Sequence, residues 1–439
     1  MARPPDPGGR RRLVGRRLQS LRGFHDILPG QTERWQRLEQ GVHRLMHRYG
    51  FREIRPPHLE RTELFVRSVG EATDIVGKEM FTFLAGDESV SLRPEITASV
   101  CRAFIEHGLD RRGLTRLYYL GPAFRRERPQ KGRLRQFHQV GIEVFGEPAP
   151  EADAEAIVLA TEFVRQAGVG EFRLHVNSLG DRDCRPRYRA ALLEALEARA
   201  PALCRDCRDR MNRNPLRVLD CKNESCQAAL DGLPRALDHL CEPCRRHFEA
   251  VVDALGQVGV EPLVDPRLVR GLDYYVRTAF EIRSAALGAQ NAVLGGGRYD
   301  GLVAALGGPD VPGLGWAAGI ERLLLAAGAD SEEAARRPDV YLVTLGEEAR
   351  RRAFRYVQSL RARGLAVLWD TSGHGLGGQM KRAGRSGARY AVLIGEEELA
   401  RERVTLKDLD SGEQTEAPLE PAALAAKLLG TRKDGGDGE

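Results

Sequence analysis

Hydrophobic and polar positions along this chain follow two periods in turn, and the switches between them outline its elements. Trp35, Leu38, Val42, Leu45 and Met46 recur at helical spacing between Gln31 and Tyr49, and Gly50 supplies a stop. A short strand, FREIR, follows and halts at Pro56-Pro57. LRPEITASVCRAF (Leu92 to Phe104) reads as a strand end, a proline-assisted helix start and an apolar helix, with Glu95 and Thr97 at the junction. Capping of backbone amides is the plain reading of that pair. After a short apolar strand from Arg116 to Leu120, the stretch Pro122 to Gly146 alternates, turns through a Pro/Lys/Gly/Arg-rich segment, and alternates again. That is the pattern of a long β-hairpin.

The hairpin has two unlike faces. Because strand side chains alternate, Phe137, Gln139, Gly141 and Glu143 point one way, while His138, Val140, Ile142 and Val144 point the other. On the outgoing strand Arg125 and Glu127 share a face. One side is packable; the other carries a ring, an amide, a gap and a carboxylate beside an arginine and a second carboxylate. The solvated face of an ordinary antiparallel sheet would carry similar charges, so the hairpin alone leaves both readings open.

Glu151 to Ala167 is again helical in period, and FRLHVNSLG is a strand and turn. From Asp183 to about Pro262 the chain becomes mostly helical and polar, which marks an inserted module. Six cysteines in it fall as Cys204-x2-Cys207, Cys221-x4-Cys226 and Cys241-x2-Cys244. Close cysteine pairs suit a tetrahedral zinc site. Six candidates for four positions leave the set ambiguous, however, so small core residues are the favoured reading, Zn2+ is the alternative, and no metal ligand is assigned.

In LVRGLDYYVRTAFEI (Leu268 to Ile282), Arg270 stands beside a glycine among Leu268, Val269 and Leu272, which suggests a cation brought close to an anion. VLGGGRYDGLV sets three glycines before Arg298, Tyr299 and Asp300, at a spacing that is no phosphate loop; close backbone packing explains it as well. GLGWAAGIERLLLAAG reads as a strand entering a helix with Glu321 and Arg322 in its first turn. The helix dipole does not help an arginine there, so a specific partner is expected. After the polar stretch GADSEEAARRP the chain alternates again: strand Val340 to Leu345, helix Glu347 to Arg363, strand Leu365 to Trp369, helix Leu376 to Ala383, then strands Tyr390 to Ile394 and Val404 to Leu406. This is a second α/β domain. Its basic, glycine-rich GGQMKRAGRSGAR suits a nucleic-acid surface or a solvated helix.

Composition narrows this picture little. A chain of 439 residues is too long for one core, and 67 basic against 62 acidic residues leave a net charge of only +5. No apolar run has the length of a bilayer crossing, so no membrane partner is expected. Residues 1–20 are Arg-rich, broken by Pro and Gly, and lack the apolar core of a secretory signal; a disordered basic tail is favoured over a transit peptide. Eight cysteines without such a signal argue for a reducing, cytoplasmic setting.

Taken together, the motifs resemble the histidyl-tRNA synthetases, a family of class II aminoacyl-tRNA synthetases. The hairpin resembles motif 2, with Arg125, Glu127 and Phe137 in place; GLGWAAGIERLLL resembles motif 3, ending in Arg322; YGFREIRPPHLERTELF resembles motif 1. LRPE-x-T, RERPQKGR-x-RQFHQ-x-G-x-E, RGLDYY-x-RT and GGGRYDGL are particular to the family, and the similarity runs from about Arg22 through the carboxy-terminal domain. The resemblance implies an α+β fold: an antiparallel catalytic sheet (21–182 and 263–328) interrupted by a helical insertion (183–262). A linker (329–338), an α/β anticodon-binding domain (339–430) and a short disordered tail (431–439) would follow.

It also implies a homodimer that joins L-histidine to ATP, with Mg2+, and transfers the histidyl group to the 3' end of tRNA(His). Under it, Arg125 and Arg270 would grip the α-phosphate from opposite sides. Glu127 would hold the adenine amino group, Phe137 would stack on the base, and Arg133 and Arg322 would meet the outer phosphates. Glu95, Thr97 and Gln139 would bind the histidine ammonium, and Glu143 and Tyr275, with Tyr274 nearby, would read the imidazole. Ile96, Val276 and Trp316 depart from the family pattern without removing any of these. A silent, histidine-sensing regulatory subunit of a phosphoribosyltransferase is the alternative. Such paralogues typically lose the anticodon domain and motif residues, and here Arg125, Arg270, Arg322 and the domain are present.

Overall fold

A computed structural model describes residues 17–70, 73–288, 291–328 and 337–433. Most of the amino-terminal tail, most of the linker and the last six residues therefore lie outside the described residues. The chain divides into two units, Met1–Ser331 and Glu332–Glu439. Among the described residues no helix is long and apolar enough to cross a membrane.

The first unit is built on β1 (Arg52–Glu53), β2 (Leu59–Arg61), β3 (Phe81–Ala85), β4 (Glu88–Leu92), β5 (Arg116–Phe124), β6 (Gln136–Phe145), β7 (Arg173–Ser178), β8 (Leu263–Val264), β9 (Val276–Arg283), β10 (Ala292–Arg298) and β11 (Gly313–Gly319). Eight of them form one sheet in the order β1-β5-β6-β11-β10-β9-β7-β8, and β2-β4-β3 form a small second sheet. From β5 to β7 every neighbour is antiparallel; only the edge strands β1 and β8 pair in parallel. This is the antiparallel catalytic sheet that the motifs imply.

β6 lies between β5 and β11, and both of its faces are covered. Val140, Ile142 and Val144 join one core with Val42 and Leu45 of the helix Thr32–Arg48 and Ile157 of the helix Pro150–Gln166. The solvated-face reading fails on the opposite face, where Gln139 and Glu143 are buried. Two details of the hairpin differ from expectation. The short strand at Arg116 and the outgoing arm are one strand, β5. That strand ends at Phe124, so Arg125 and Glu127 belong to the connecting segment rather than to a strand face. The reason lies in the backbone: Arg126 N donates to Glu79 O at 2.6 Å instead of to β6, and Gln130 and Arg133 close a turn on each other.

The insertion is helical, with helices Arg185–Glu197, Arg205–Arg213, Glu224–Ala229 and Glu242–Gln257. Leu192, Leu196, Leu203 and Val218 give the first three a core of their own, whereas Phe248, Val251 and Leu255 of the fourth join the core of the catalytic sheet.

In the second unit β12 (Val340–Thr344), β13 (Val367–Trp369), β14 (Tyr390–Ile394), β15 (Arg403–Asp408) and β16 (Gln414–Pro418) form a sheet in the order β13-β12-β14-β15-β16. The first three strands are parallel and the last two antiparallel. Helices Glu347–Arg361 and Pro421–Lys433 flank it, the latter running past the expected domain end at 430. The basic segment lies on the helix Leu376–Arg385.

Candidate active site

A cavity of about 270 Å³ opens on the face of β6 that carries Phe137 and Gln139. Glu95, Thr97, Arg125, Glu127, Arg133, Phe137, Gln139, Arg270, Tyr274, Tyr275 and Arg322 all line it. Of the residues singled out in the sequence only Glu143 does not; it lies buried behind them, one β-step beyond Gly141.

Each cation is anchored before any ligand arrives. Arg125 donates from Nε to Pro94 O at 2.9 Å, which sets its guanidinium over the Phe137 ring, 5.3 Å from the centroid. Arg270 donates from Nη1 to Glu281 Oε1 at 2.8 Å and lies over the Tyr275 ring. A Cβ at Gly295 would collide with that guanidinium, so the first of the three glycines makes room for Arg270, while a Cβ at Gly296 or Gly297 would strike the backbone of a neighbouring strand. Arg322 donates from Nε to Ala292 O at 2.8 Å, and Arg133 pairs with Glu127 at 2.9 Å. Such planar donor sets, held by their neighbours, suit phosphate oxygens.

The inner end is polar and buried. The Glu95 carboxylate accepts from Thr97 N and Ala98 N, both at 2.8 Å, so the capping reading of this residue is realised. Burial raises its pKa, against those two amides. Glu143 accepts a hydrogen bond from the Tyr299 hydroxyl, and a Cβ at Gly315 would collide with its carboxylate. Burial pushes the Glu143 carboxyl up to about 8, although the hydroxyls of Thr97, Tyr299 and Tyr119 oppose that shift. Glu143 Oε1 and Gln139 Oε1 are buried with no hydrogen-bond partner among the described residues. An unpaired buried acceptor costs about 1–3 kcal/mol, so this end is built to receive donors from a ligand.

Three contributors carry no role in the sequence reading. Tyr299 sits in the GGGRYDGL motif, which marks it without revealing that it reaches Glu143. Glu281 holds Arg270 from the next strand. Glu321 lines the cavity and accepts from His138 N at 3.0 Å and from its ring at 2.9 Å. Of the departures from pattern, Ile96 is fully buried in the core with Val100 and Phe104, and Trp316 stacks on Phe163.

An antiparallel sheet that presents Arg125, Arg270 and Arg322 around one cavity with a buried polar end fits the catalytic domain of a class II aminoacyl-tRNA synthetase. Residues 23–323 match the family model for histidyl-tRNA synthetase, and residues 339–427 match that for an anticodon binding domain. The chain is 48% identical over 413 residues to the histidine–tRNA ligase of Geobacter metallireducens, covering 94% of this chain and 100% of the relative. It is 50% identical over 418 residues to that of Anaeromyxobacter dehalogenans, with the same coverage. Among solved structures, apo S. aureus histidyl-tRNA synthetase aligns with a TM-score of 0.78 at 35% identity, covering 94% of this chain and 100% of that one. The chain belongs to the histidyl-tRNA synthetase family. Its activity is the ATP-driven ligation of histidine to tRNA, and the regulatory-subunit alternative is not favoured.

Proposed function

We propose that the cavity on β6 performs both half-reactions, with its residues divided between ATP and histidine. The convergence of Arg125 and Arg270 at the mouth with Gln139 and Glu143 at the inner end carries this reading. In the first step a histidine carboxylate oxygen attacks the α-phosphorus and the bond to pyrophosphate breaks. Negative charge grows on the α-phosphate oxygens, where Arg125 and Arg270 stabilise it from two sides without moving. Glu127 takes the adenine amino group, Phe137 stacks on the base, and Arg133 and Arg322 take the outer phosphates. In the second step a ribose hydroxyl of the tRNA's terminal adenosine attacks the carbonyl carbon and AMP leaves.

Glu95, Thr97 and Gln139 hold the histidine ammonium; a carboxylate oxygen that caps an amide still has a lone pair to offer. Glu143 accepts from an imidazole N–H, and Tyr275, beside Tyr274, addresses the other ring nitrogen. The wall carboxylates Glu127 and Glu281 are engaged by Arg133 and by Arg270 with Arg283, so a hard cation would be held chiefly by the phosphate oxygens of ATP. When bound with ATP, Mg2+ would neutralise phosphate charge there. The segment Arg128 to Arg133 faces the acceptor end of tRNA(His), and the helix Leu376–Arg385 offers a basic surface to the same RNA. Two copies pair through the motif 1 segment, in the cytoplasm.

The Glu143 carboxyl gives a test with a sign. Its value of about 8 lies above the ordinary 4.5, so its ionisation opposes folding. That stabilising contribution is full below 4.5 and is lost as pH rises through about 8. Histidine binds the carboxylate form, so its KM in ATP–pyrophosphate exchange falls as pH rises from roughly 6.5 to 8.5. Glu143→Gln raises KM and flattens this dependence. A KM that ignores pH in the wild type, or a slope unchanged in Glu143→Gln, contradicts the assignment.

A further inference from the structure

Four thiols of the insertion meet at one point. The Sγ atoms of Cys204, Cys207, Cys221 and Cys226 all lie within 4.8 Å of one another, and none is in a disulfide. A tetrahedral zinc with Zn–S bonds of about 2.3 Å would set its sulfurs roughly 3.8 Å apart. Cys204 Sγ and Cys221 Sγ are 4.0 Å apart. We propose that these four cysteines bind one Zn2+ as a closed tetrathiolate site.

The surroundings favour a metal over plain packing. Leu203, Leu216 and Val218 already supply the apolar core here, and cysteines serving only as small core residues have no reason to converge. Backbone amides donate to the sulfurs, from Cys204 N to Cys226 Sγ at 3.1 Å and from Asn223 N to Cys221 Sγ at 3.5 Å. Such donors stabilise the charge a metal-bound thiolate carries. Each pair joins a loop residue to the first turn of a helix, Arg205–Arg213 or Glu224–Ala229. Helices this short do not hold alone in water, and a metal that ties both starts together supplies the missing constraint.

The site also supports the catalytic cavity. Between the two pairs, Arg210 reaches Asp74 at 2.7 Å, Asn214 donates to Asp273 at 2.9 Å, and Arg217 Nη1 donates to Arg270 O at 3.1 Å. The metal thus steadies the segment that holds the backbone of Arg270. This consequence rests on the role of Arg270 given above; the metal site does not. A second group, Asp181, Cys184, Cys241 and Cys244, is equally compact. Its carboxylate is engaged by the amides of Asp183 and Cys184 and by Arg277, and it stays outside the proposal.

The test counts zinc by mass spectrometry in full-length, untagged protein, as wild type, as Cys204→Ser/Cys221→Ser and as Cys241→Ser/Cys244→Ser. The first variant holds one zinc per chain fewer than the wild type, and the second retains that zinc. Grown on Co2+ instead, the second variant shows the sulfur-to-cobalt charge-transfer bands and intense visible bands of a tetrahedral thiolate site. This spectrum decides the matter if the first variant does not fold. Equal zinc in the wild type and Cys204→Ser/Cys221→Ser overturns the proposal, as does a Cys241→Ser/Cys244→Ser protein without zinc or cobalt bands. None of these readings depends on histidine activity.

Discussion

Replacing Arg270 by alanine lowers histidine-dependent pyrophosphate exchange by roughly a hundred- to a thousandfold, the loss expected when one fixed donor, worth about 3 kcal/mol, is removed from a site of developing charge. The effect falls on kcat more than on KM, because the guanidinium matters most when the α-phosphate carries its extra charge. The side chain is held by Glu281, which Arg283 also holds at 2.6 Å, so the variant leaves no carboxylate unpaired and the sheet stays intact. Arg270→Lys recovers only part of the loss, since an ammonium lacks the planar fork. Gly295→Ala lowers the rate too, although it removes no charge, because its methyl takes the space of the guanidinium. Exchange by Arg270→Ala at near the wild-type rate would remove Arg270 from the chemistry.

Arg298→Met destabilises the first unit by about 3–5 kcal/mol, the usual consequence of breaking one half of a buried ion pair. Arg298 is fully buried, pairs with Asp153, and donates to Glu147 O at 2.9 Å. Burial pushes the Asp153 carboxyl up, but His247 and Arg298 outweigh it and hold the group below its ordinary value. Without the guanidinium, that charge keeps His247 alone among the described residues, 3.4 Å away. Urea unfolding followed by circular dichroism reads the change as a lower midpoint for the first unit, and adding Asp153→Asn recovers part of it. A midpoint equal to that of the wild type would show that the pair does not hold the sheet to the helix Pro150–Gln166.

The central strands were legible because side-chain chemistry on β6 alternates, Val140, Ile142 and Val144 against Gln139, Gly141 and Glu143, although both faces are buried. The family motifs located the cavity residues as well: two tyrosines, two carboxylates and four arginines from four distant segments line one cavity. What stayed hidden depends on contacts between segments. Nothing around Phe124 announces that β5 ends there, because Glu79, which takes the amide of Arg126, lies 47 residues before it in the chain. Tyr299 reaches Glu143 across β11, and Asp181 and Cys184 join Cys241 and Cys244 only in three dimensions. In the second unit β16 escaped notice because Ala417 alone of its five residues is buried, which leaves no alternation to see.

Which amino acid this protein attaches to which RNA is the property that defines it. Incubating it with ATP, Mg2+, unfractionated tRNA and each of the standard amino acids in turn, and measuring acid-stable aminoacyl-tRNA, tests this directly. Histidine alone should be esterified, on tRNA(His) alone, with AMP and pyrophosphate released in step. Charging with another amino acid, or histidine binding without any esterification, would contradict it.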